Sequence, residues 1–210
     1  MTESTQDLTP KESYEQNGFL VLRNFIPNFF AIFLREYFDT LKTNKKLENG
    51  DAQVSTSECV YGDPCYDTFM LLSSSLISKS IGIELLPTYT YARIYYNGSE
   101  LLPHLDRKEC EHSVSLFLGG EFEQTWPIWM LNKKVHKEPR MIALNPGDAV
   151  VYRGNLVHHW RDGFLGTSHY QLFMHFVEKN GEFENKLYDT RPYIGLPGET
   201  KRDYGHTEIK

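Results

Sequence analysis

Short runs of β-branched and aromatic residues, separated by turn residues, dominate the chain from residue 86 to residue 177. Such runs suit pleated, half-buried strands, and the Gly, Pro and Asn residues between them interrupt strand pairing. The predicted strands span residues 88–96, 113–118, 128–131, 140–144, 149–153, 156–161 and 169–177. Many short strands at this spacing are typical of a β-sandwich or a jelly roll. We therefore predict a mainly β fold.

Helical signals are confined to the part of the chain before these strands. Thr9 can cap a short helix that starts at Pro10, and Gly18 lies just beyond its end. A strand is predicted at residues 19–23. A second helix starts at residues 27–28, and its apolar residues recur at intervals of three and four, which indicates one apolar face that covers a sheet.

The segment between the second helix and the first long strand is predicted to be a loop at residues 53–67 and a helix at residues 68–81. Residues 1–9 are expected to form a disordered tail, and residues 180–210 to be mostly loop. Internal repeats and linkers are absent from the sequence. We predict a single domain that comprises residues 1–210.

Composition and charge exclude several classes of partner. The formal net charge of −6 and the pI of about 5.8 disfavour a nucleic-acid partner, because such proteins usually carry a basic surface. No run of eighteen apolar residues predicts a membrane span. The three cysteines, Cys59, Cys65 and Cys110, are odd in number and lack CxxC spacing, which is typical of reduced thiols. We expect a cytoplasmic protein without a membrane partner.

The last predicted strand, residues 169–177, divides into two faces of different chemistry. Its even-numbered residues, Tyr170, Leu172, Met174 and Phe176, form an apolar face. Its odd-numbered residues include His169, Gln171 and His175, which share their face with Phe173. Side chains alternate between the two faces of a strand, so we expect the polar face to point into a cavity or to solvent.

A His-x-Asp motif at His104 and Asp106 is the strongest candidate for chemistry. Alternation along a strand would place this imidazole and this carboxylate side by side on one face. A third ligand is available from the pair His158 and His159, of which alternation allows only one to point inward. Two imidazoles and one carboxylate on one face of an octahedral ion leave its other positions open, as in non-haem Fe(II) sites.

Three segments carry a resemblance to a known family. They are PTYTYARIYYNGSELLPHLDR at residues 87–107, CEHSVS at 110–115 and PGDAVVYRGNLVHHWR at 146–161. Together they resemble prolyl-4-hydroxylase-like Fe(II)/2-oxoglutarate-dependent oxygenases of bacteria and phages, and the similarity covers roughly residues 14–195. The resemblance implies a double-stranded β-helix, which is a cupin-like jelly roll with helices packed on one sheet.

The resemblance also implies the site and the reaction. His104, Asp106 and a distal histidine would bind Fe(II), and we prefer His159 because the resembling sequences carry His-Trp-Arg-acid at that place. The implied activity is a 2-oxoglutarate-dependent dioxygenase that uses O2 to hydroxylate a C–H bond, with release of succinate and CO2. The implied partners are the small co-substrate and a peptide, protein or small-molecule substrate, such as a prolyl or other amino-acid residue.

The sequence departs from the family at the anion site. Many members carry an Arg or Lys nine or ten residues after the distal histidine, to pair with the far carboxylate of 2-oxoglutarate. That interval reaches Ser168 and His169 here, and neither is a permanent cation. The candidates for this role are Tyr95, Arg161, His169 and Gln171. We prefer Tyr95 together with either Arg161 or a protonated His169.

Two other functions are consistent with the same residues. The missing cation on the last strand is typical of a metal-binding but catalytically inactive β-helix that serves as a binding module. A cupin-like metalloenzyme would keep the metal and not use 2-oxoglutarate, although cupin sites usually add further histidines and a glutamate. The sequence leaves the oligomeric state open.

Overall fold

Two antiparallel β-sheets and three helices make up the part of the chain that the computed structural model describes, residues 8–196. Most of the predicted disordered tail, residues 1–7, and the end of the predicted C-terminal loop, residues 197–210, lie outside the described residues. The strands are β1 (Phe19–Leu22), β2 (Glu48–Asn49), β3 (Ser57–Tyr61), β4 (Leu85–Tyr95), β5 (Leu101–His104), β6 (His112–Glu121), β7 (Ile128–Leu131), β8 (Arg140–Ile142), β9 (Ala149–Tyr152), β10 (His158–Arg161) and β11 (Ser168–Glu178).

The strand order defines a jelly roll. The larger sheet has the order β1-β9-β6-β11-β4-β3-β2, and the smaller sheet has the order β5-β10-β7-β8. Apolar side chains from the two sheets pack together in one cluster, for example Phe117 and Val150 of the larger sheet with Ile128 and Met130 of the smaller sheet. The predicted mainly β fold, with its jelly-roll arrangement, is confirmed.

The helices cover the outer face of the larger sheet. They are α1 (Pro10–Asn17), α2 (Asn28–Thr43) and α3 (Pro64–Ile81). Leu34 and Phe38 of α2 and Met70 of α3 are buried in one core with Leu172 and Met174 of β11. The prediction that helices pack on one sheet is confirmed. No helix within residues 8–196 is long and apolar enough to span a membrane.

The predicted division of β11 into two faces is also borne out. Its apolar residues Tyr170, Leu172, Met174 and Phe176 all belong to the core beneath the helices. His169, Gln171 and His175 are buried too, but they lie on the face that is turned toward the smaller sheet. The alternation along this strand therefore delivers polar groups to the interior of the jelly roll.

The predicted loop at residues 53–67 is partly wrong. It contains strand β3, which pairs with β4, and helix α3 begins at Pro64 rather than at residue 68. Asp63 caps this helix by accepting hydrogen bonds from the amides of Cys65 and Tyr66, and Pro64 occupies a first-turn position. The strand was not predicted because Ser, Gly, Asp and Pro residues flank it, and its partners on β4 lie 30 to 38 residues away.

The expected strand geometry of the His-x-Asp motif is wrong as well. Strand β5 ends at His104, and Asp106 lies in the loop that follows. The Asp106 amide donates to the carbonyl of Gly154, 2.9 Å away, instead of joining the sheet. The motif residues are therefore brought together by a loop contact and not by strand alternation.

Beyond β11, the chain folds back over β4. We call residues 184–196 the strap; it contains two 3-10 turns within Glu184–Thr190, separated by non-helical residues. Its Arg191 forms a buried ion pair with Asp67 at 2.8 Å and donates to the Thr88 carbonyl at 3.0 Å. This anchor fixes the strap against α3 and β4.

Candidate metal centre

His104 and His159 face each other across neighbouring strands. The two residues are direct partners in the pairing of β5 with β10. Both are buried, at 8% and 3% exposure, and their ring centroids are 4.2 Å apart. Because β10 lies between β5 and β7 in the smaller sheet, strand pairing fixes the relative position of both imidazoles.

Asp106 completes a cluster with the two histidines. Its Oδ1 atom is 3.4 Å from His159 Nε2 and 3.8 Å from His104 Nε2. One ligand atom from each of the three residues lies within 4.8 Å of the other two, which is close enough to share a metal ion. The cluster has the two nitrogens and one carboxylate oxygen of a facial triad, which suits a non-haem Fe(II) ion.

Backbone carbonyls orient both imidazoles in the same way. His104 Nδ1 lies 2.8 Å from the Leu102 carbonyl, and His159 Nδ1 lies 3.0 Å from the Val157 carbonyl. A carbonyl can only accept, so Nδ1 carries the proton in each ring and Nε2 keeps its lone pair toward the cluster. This is the usual way in which a second hydrogen bond fixes the tautomer of a metal-binding histidine.

The protonation states also suit a cation. Burial and the neighbouring His159 lower the pKa of His104 to about 4, so its imidazole is neutral at neutral pH. Burial alone would raise the pKa of Asp106, but His159 and the other nearby imidazoles outweigh it and keep that carboxylate ionised. Neutral imidazoles and an ionised carboxylate are the forms that bind metal.

His158 is not part of the cluster. It pairs with Leu131 on the neighbouring strand and is only partly buried. Its side chain alternates to the opposite face of β10 from His159, as the sequence required of one of the two. Of the two candidates for the distal position, the structure places His159 beside His104 and Asp106.

A hydrogen-bonded chain extends from Asp106 toward β11. The Ser113 hydroxyl donates to Asp106 Oδ2 at 2.7 Å, and His175 Nδ1 lies 2.9 Å from the same hydroxyl oxygen. Since the hydroxyl proton is used by the carboxylate, His175 donates its Nδ1 proton to Ser113. Asp106 is thus oriented from two sides, by Ser113 and by the loop that contains Gly154.

Gly154 is required where this loop approaches the cluster. A Cβ atom at this position would lie 2.5 Å from Asp106 Oδ2 and 2.5 Å from the Cys110 carbonyl oxygen. It would also lie 2.7 Å from Ser113 Oγ. Any side chain here would displace the carboxylate or its partners.

Arg161 is a buried cation without an acidic partner among residues 8–196. It lies two residues after His159 on β10, so its side chain enters the same interior. One guanidinium nitrogen donates to the Trp126 carbonyl at 2.6 Å, another is 3.4 Å from Gln171 Oε1, and Nε has no partner. Burial lowers the pKa of Arg161 to about 10, which still leaves it charged at neutral pH.

The other three predicted co-substrate residues surround Arg161. Gln171 Oε1 lies 3.0 Å from His169 Nε2, and the Gln171 amide donates to Ser115 at 2.8 Å. The rings of Tyr95 and His169 both pack against Trp126, with centroids 5.0 Å from its ring. The structure therefore brings Tyr95, Arg161, His169 and Gln171 together in one buried group, the Arg161 pocket, which contains the residue two positions after His159 on β10.

The surroundings of His169 disfavour its protonated form. Burial and the neighbouring Arg161 lower its pKa well below the ordinary value of 6.5. This shift favours the neutral imidazole over the protonated His169 of the sequence prediction, and Arg161 is the permanent cation of this group. The Nε2 atom of His169 donates to Gln171 Oε1, so its Nδ1 atom, which is buried without a partner, is an unprotonated acceptor.

Comparison with known proteins gives the fold a name. No protein-family model and no curated relative matches the sequence. Among solved structures, the chain is similar to a Pseudomonas putida prolyl-4-hydroxylase, with a TM-score of 0.65 and 15% identity over 80% of this chain and 96% of that one. The chain has the prolyl-4-hydroxylase fold. The family resemblance in the sequence is thus supported by the structure at the level of the fold.

Two further structures with this fold were solved with bound molecules. A Trichoplax adhaerens prolyl hydroxylase in complex with a hypoxia inducible factor peptide fragment matches at a TM-score of 0.63, with 13% identity over 79% of this chain and 86% of that one. HygX from Streptomyces hygroscopicus, solved with nickel, 2-oxoglutarate and hygromycin B, matches at 0.60, with 12% identity over 78% and 84%. The fold thus occurs with peptide and with small-molecule ligands.

Sequence reasoning did not assign roles to several residues of the site. Ser113, Ser115 and Gly154 position the predicted residues, and Trp126 packs against three of them. The signal for the serines was present, because Ser113 and Ser115 alternate with apolar residues on β6 and share one face. Trp126 is itself buried.

Proposed function

We propose that this chain is an Fe(II)- and 2-oxoglutarate-dependent oxygenase that hydroxylates a C–H bond and releases succinate and CO2. The observation that carries the proposal is that a metal cluster and a buried cation lie together inside the jelly roll. The cluster of His104, Asp106 and His159 lies beside a pocket that contains Arg161, a buried guanidinium without an acidic partner among the described residues. A metal site next to an unpaired cation fits a ligand that both chelates metal and carries a distant carboxylate.

His104 and His159, through Nε2, and Asp106, through its carboxylate, would hold Fe(II). When bound, this ion would supply the activation of O2 that couples decarboxylation of 2-oxoglutarate to oxidation of the substrate. The chain itself provides the geometry. Backbone carbonyls fix both imidazoles, and Ser113 fixes the carboxylate, so little rearrangement is needed when the metal enters.

The far carboxylate of 2-oxoglutarate would pair with Arg161. The unsatisfied Nε of Arg161 is the donor for which an acceptor is missing. A buried donor without an acceptor costs about 1–3 kcal/mol, and more when it is charged, so a carboxylate here would relieve strain that the free protein carries. Tyr95 and Gln171 complete the pocket, and the aromatic rings around them exclude water.

The presence of Arg161 favours this function over the two alternatives from the sequence. An inactive binding module has no need for an unpaired buried cation next to its metal ligands, and neither does a cupin-like enzyme that does not use 2-oxoglutarate. The substrate proposal is a prolyl or other amino-acid residue, in a peptide or as a small molecule. One protein of similar fold was solved with a peptide and another with hygromycin B, which supports both a peptide and a small molecule as candidate substrates.

Anaerobic titration of the metal-free protein with Fe(II) and then 2-oxoglutarate tests this proposal. We expect the weak visible charge-transfer band that a ferrous 2-oxo acid chelate produces, and slow succinate formation after O2 is admitted. Asp106→Ala should abolish both signals. His158→Ala serves as the matched control, because it removes a neighbouring histidine outside the cluster. Iron binding without a band in the wild type would contradict the proposal.

A further inference from the structure

A ladder of aromatic rings leads from the metal cluster to the strap. His175, which is linked to Asp106 through Ser113, stacks on Tyr89 with ring centroids 4.5 Å apart. Tyr89 in turn stacks on Tyr61 at 5.0 Å. The ladder therefore connects the metal ligands with a second group of polar residues at the edge of the jelly roll.

Arg107 and Tyr61 meet at the outer end of this ladder and together hold one carboxylate. The Arg107 guanidinium lies over the Tyr89 ring, 4.6 Å from its centroid, and donates to Asp189 Oδ1 at 2.7 Å. The Tyr61 hydroxyl donates to the other oxygen, Asp189 Oδ2. Burial and this neighbouring carboxylate raise the pKa of Tyr61, so its hydroxyl remains a donor at neutral pH.

Arg107 has one hydrogen-bond donor that Asp189 does not use. The Nε atom of Arg107 is buried and has no partner. Arg107 directly follows the metal ligand Asp106 in the sequence, so its backbone lies next to the metal cluster. The group thus offers a cation and a hydroxyl to a planar anion, at a position from which a bound molecule can extend toward the metal.

Asp189 reaches this position through an unfavourable backbone. Tyr188, Asp189 and Thr190 have φ angles of 54°, 55° and 62°, in the left-handed region that non-glycine residues rarely adopt. Three such residues in succession persist only where surrounding contacts enforce them. The buried pair of Arg191 with Asp67 supplies that constraint immediately after the left-handed residues.

We propose that Arg107 and Tyr61 form the carboxylate-binding subsite for the substrate, and that Asp189 of the strap occupies it as an internal stand-in. The substrate would therefore carry a carboxylate, either as a free acid or as an acidic group of a peptide. The inference rests on the proposed function, because it names the substrate class of the same site. Binding would exchange one carboxylate for another and release the left-handed segment.

A further ion pair holds the strap at its other end. This third ion pair joins Lys186 to Glu109 at 4.0 Å, with both side chains about one third exposed. Exposed pairs at this distance contribute about 0–1 kcal/mol at most. The Lys186–Glu109 pair therefore supplies a matched control: its removal loosens the strap without changing the proposed subsite.

Acetate binding to the metal-free protein tests the subsite with the simplest carboxylate. The affinity would be measured by ligand-observed NMR in Asp189→Asn, in the double variant Asp189→Asn with Arg107→Gln, and in Glu109→Gln. Asp189 competes as an intramolecular ligand at an effective concentration in the millimolar range. We therefore expect acetate to bind Asp189→Asn on the order of tenfold more tightly than wild type.

The controls separate the subsite from the Arg161 pocket, which also attracts carboxylates. The double variant should lose the gain, and Glu109→Gln should bind acetate as the wild type does. Equal acetate binding by Asp189→Asn and by the double variant would overturn the proposal. Limited trypsin cleavage at Lys186 gives an independent measurement, because acetate should accelerate it in the wild type more than chloride at equal ionic strength.

A second experiment determines whether the substrate carboxylate is a terminal or a side-chain group. It also tests the subsite separately from the proposed oxygenase function. N-acetyl-alanine offers a terminal carboxylate, and the α-amide of N-acetyl-aspartic acid offers only a side-chain one. Stimulation of succinate formation by one of them supports a substrate of that kind, and stimulation by neither overturns the substrate role. Absence of the Fe(II)–2-oxoglutarate band would refute the proposed function alone, because acetate binding and trypsin cleavage are measured without metal.

Discussion

Substitution of Gly154 by alanine should disrupt the metal cluster without changing any ligand. The new Cβ atom would lie 2.5 Å from Asp106 Oδ2, about 0.9 Å closer than an ordinary contact of 3.4 Å. The Cys110 carbonyl and the Ser113 hydroxyl crowd the same point, so no single side-chain rotation relieves the overlap. The φ angle of Gly154 lies outside the left-handed region, so the effect is steric and does not come from the backbone.

The expected cost has two parts. Overpacking of a well-packed interior costs about 1–3 kcal/mol, which should appear as a lower melting temperature of the metal-free protein. Displacement of a group that orients a metal ligand typically lowers metal affinity by about 10- to 100-fold. We therefore expect Gly154→Ala to weaken Fe(II) binding by that factor.

Anaerobic calorimetric titration with Fe(II) and thermal unfolding of the metal-free protein measure the two effects separately. Gly163→Ala is the matched control, because a Cβ atom there meets nothing within 4 Å and its φ angle is also outside the left-handed region. Its affinity and melting temperature should equal those of the wild type. Wild-type Fe(II) affinity in Gly154→Ala would refute the assignment of Asp106 as a ligand in the observed geometry.

Three further predictions follow from the polar groups around the cluster. Arg161→Gln should weaken 2-oxoglutarate binding about 10- to 100-fold, because a charge-assisted hydrogen bond is lost. The same substitution should raise the melting temperature of the free protein, because it removes an unpaired buried charge. Titration calorimetry measures the first effect, and thermal unfolding measures the second. Ser113→Ala should weaken Fe(II) binding about tenfold or more, since Asp106 loses its 2.7 Å donor; unchanged affinity in the same titration would contradict this. Burial lowers the pKa of His112 from 6.5 to about 4 in the folded protein. As the pH falls, His112 of the unfolded chain is therefore protonated before His112 of the folded protein. The melting temperature of the metal-free protein should therefore fall between pH 6.5 and 4, and His112→Gln should flatten that slope.

The parts of the fold that depend on local periodicity could be predicted from the sequence. Alternation along β11 placed His169, Gln171 and His175 on one face and their apolar neighbours on the other, because the period of a strand is a property of the backbone. The same reasoning restricted the distal histidine to one of two adjacent residues. These inferences required no knowledge of which strands are neighbours.

The parts that depend on distant contacts could not be predicted in this way. Asp106 reaches the cluster because its amide bonds to Gly154, which lies 48 residues later in the chain. The strap lies over β4 because Arg191 pairs with Asp67, at a separation of 124 residues. Nothing in the local sequence specifies such partners. The loop position of Asp106 and the contact of Asp189 with Arg107 and Tyr61 were therefore visible only in the structure.

Among the residues proposed to bind the co-substrate, the cation is Arg161 on β10, and residue 169 on β11 is a histidine. Gln171 Oε1 lies 3.4 Å from Arg161 and 3.0 Å from His169, so both side chains converge on one amide oxygen. A permanent cation at position 169 would repel Arg161 across that atom in a buried, poorly screened interior. The pocket accordingly accepts one charge, and because β10 provides it, residue 169 must be neutral. A histidine whose pKa is strongly lowered meets that requirement. A neutral residue at position 169 on β11 thus accompanies the cation on β10.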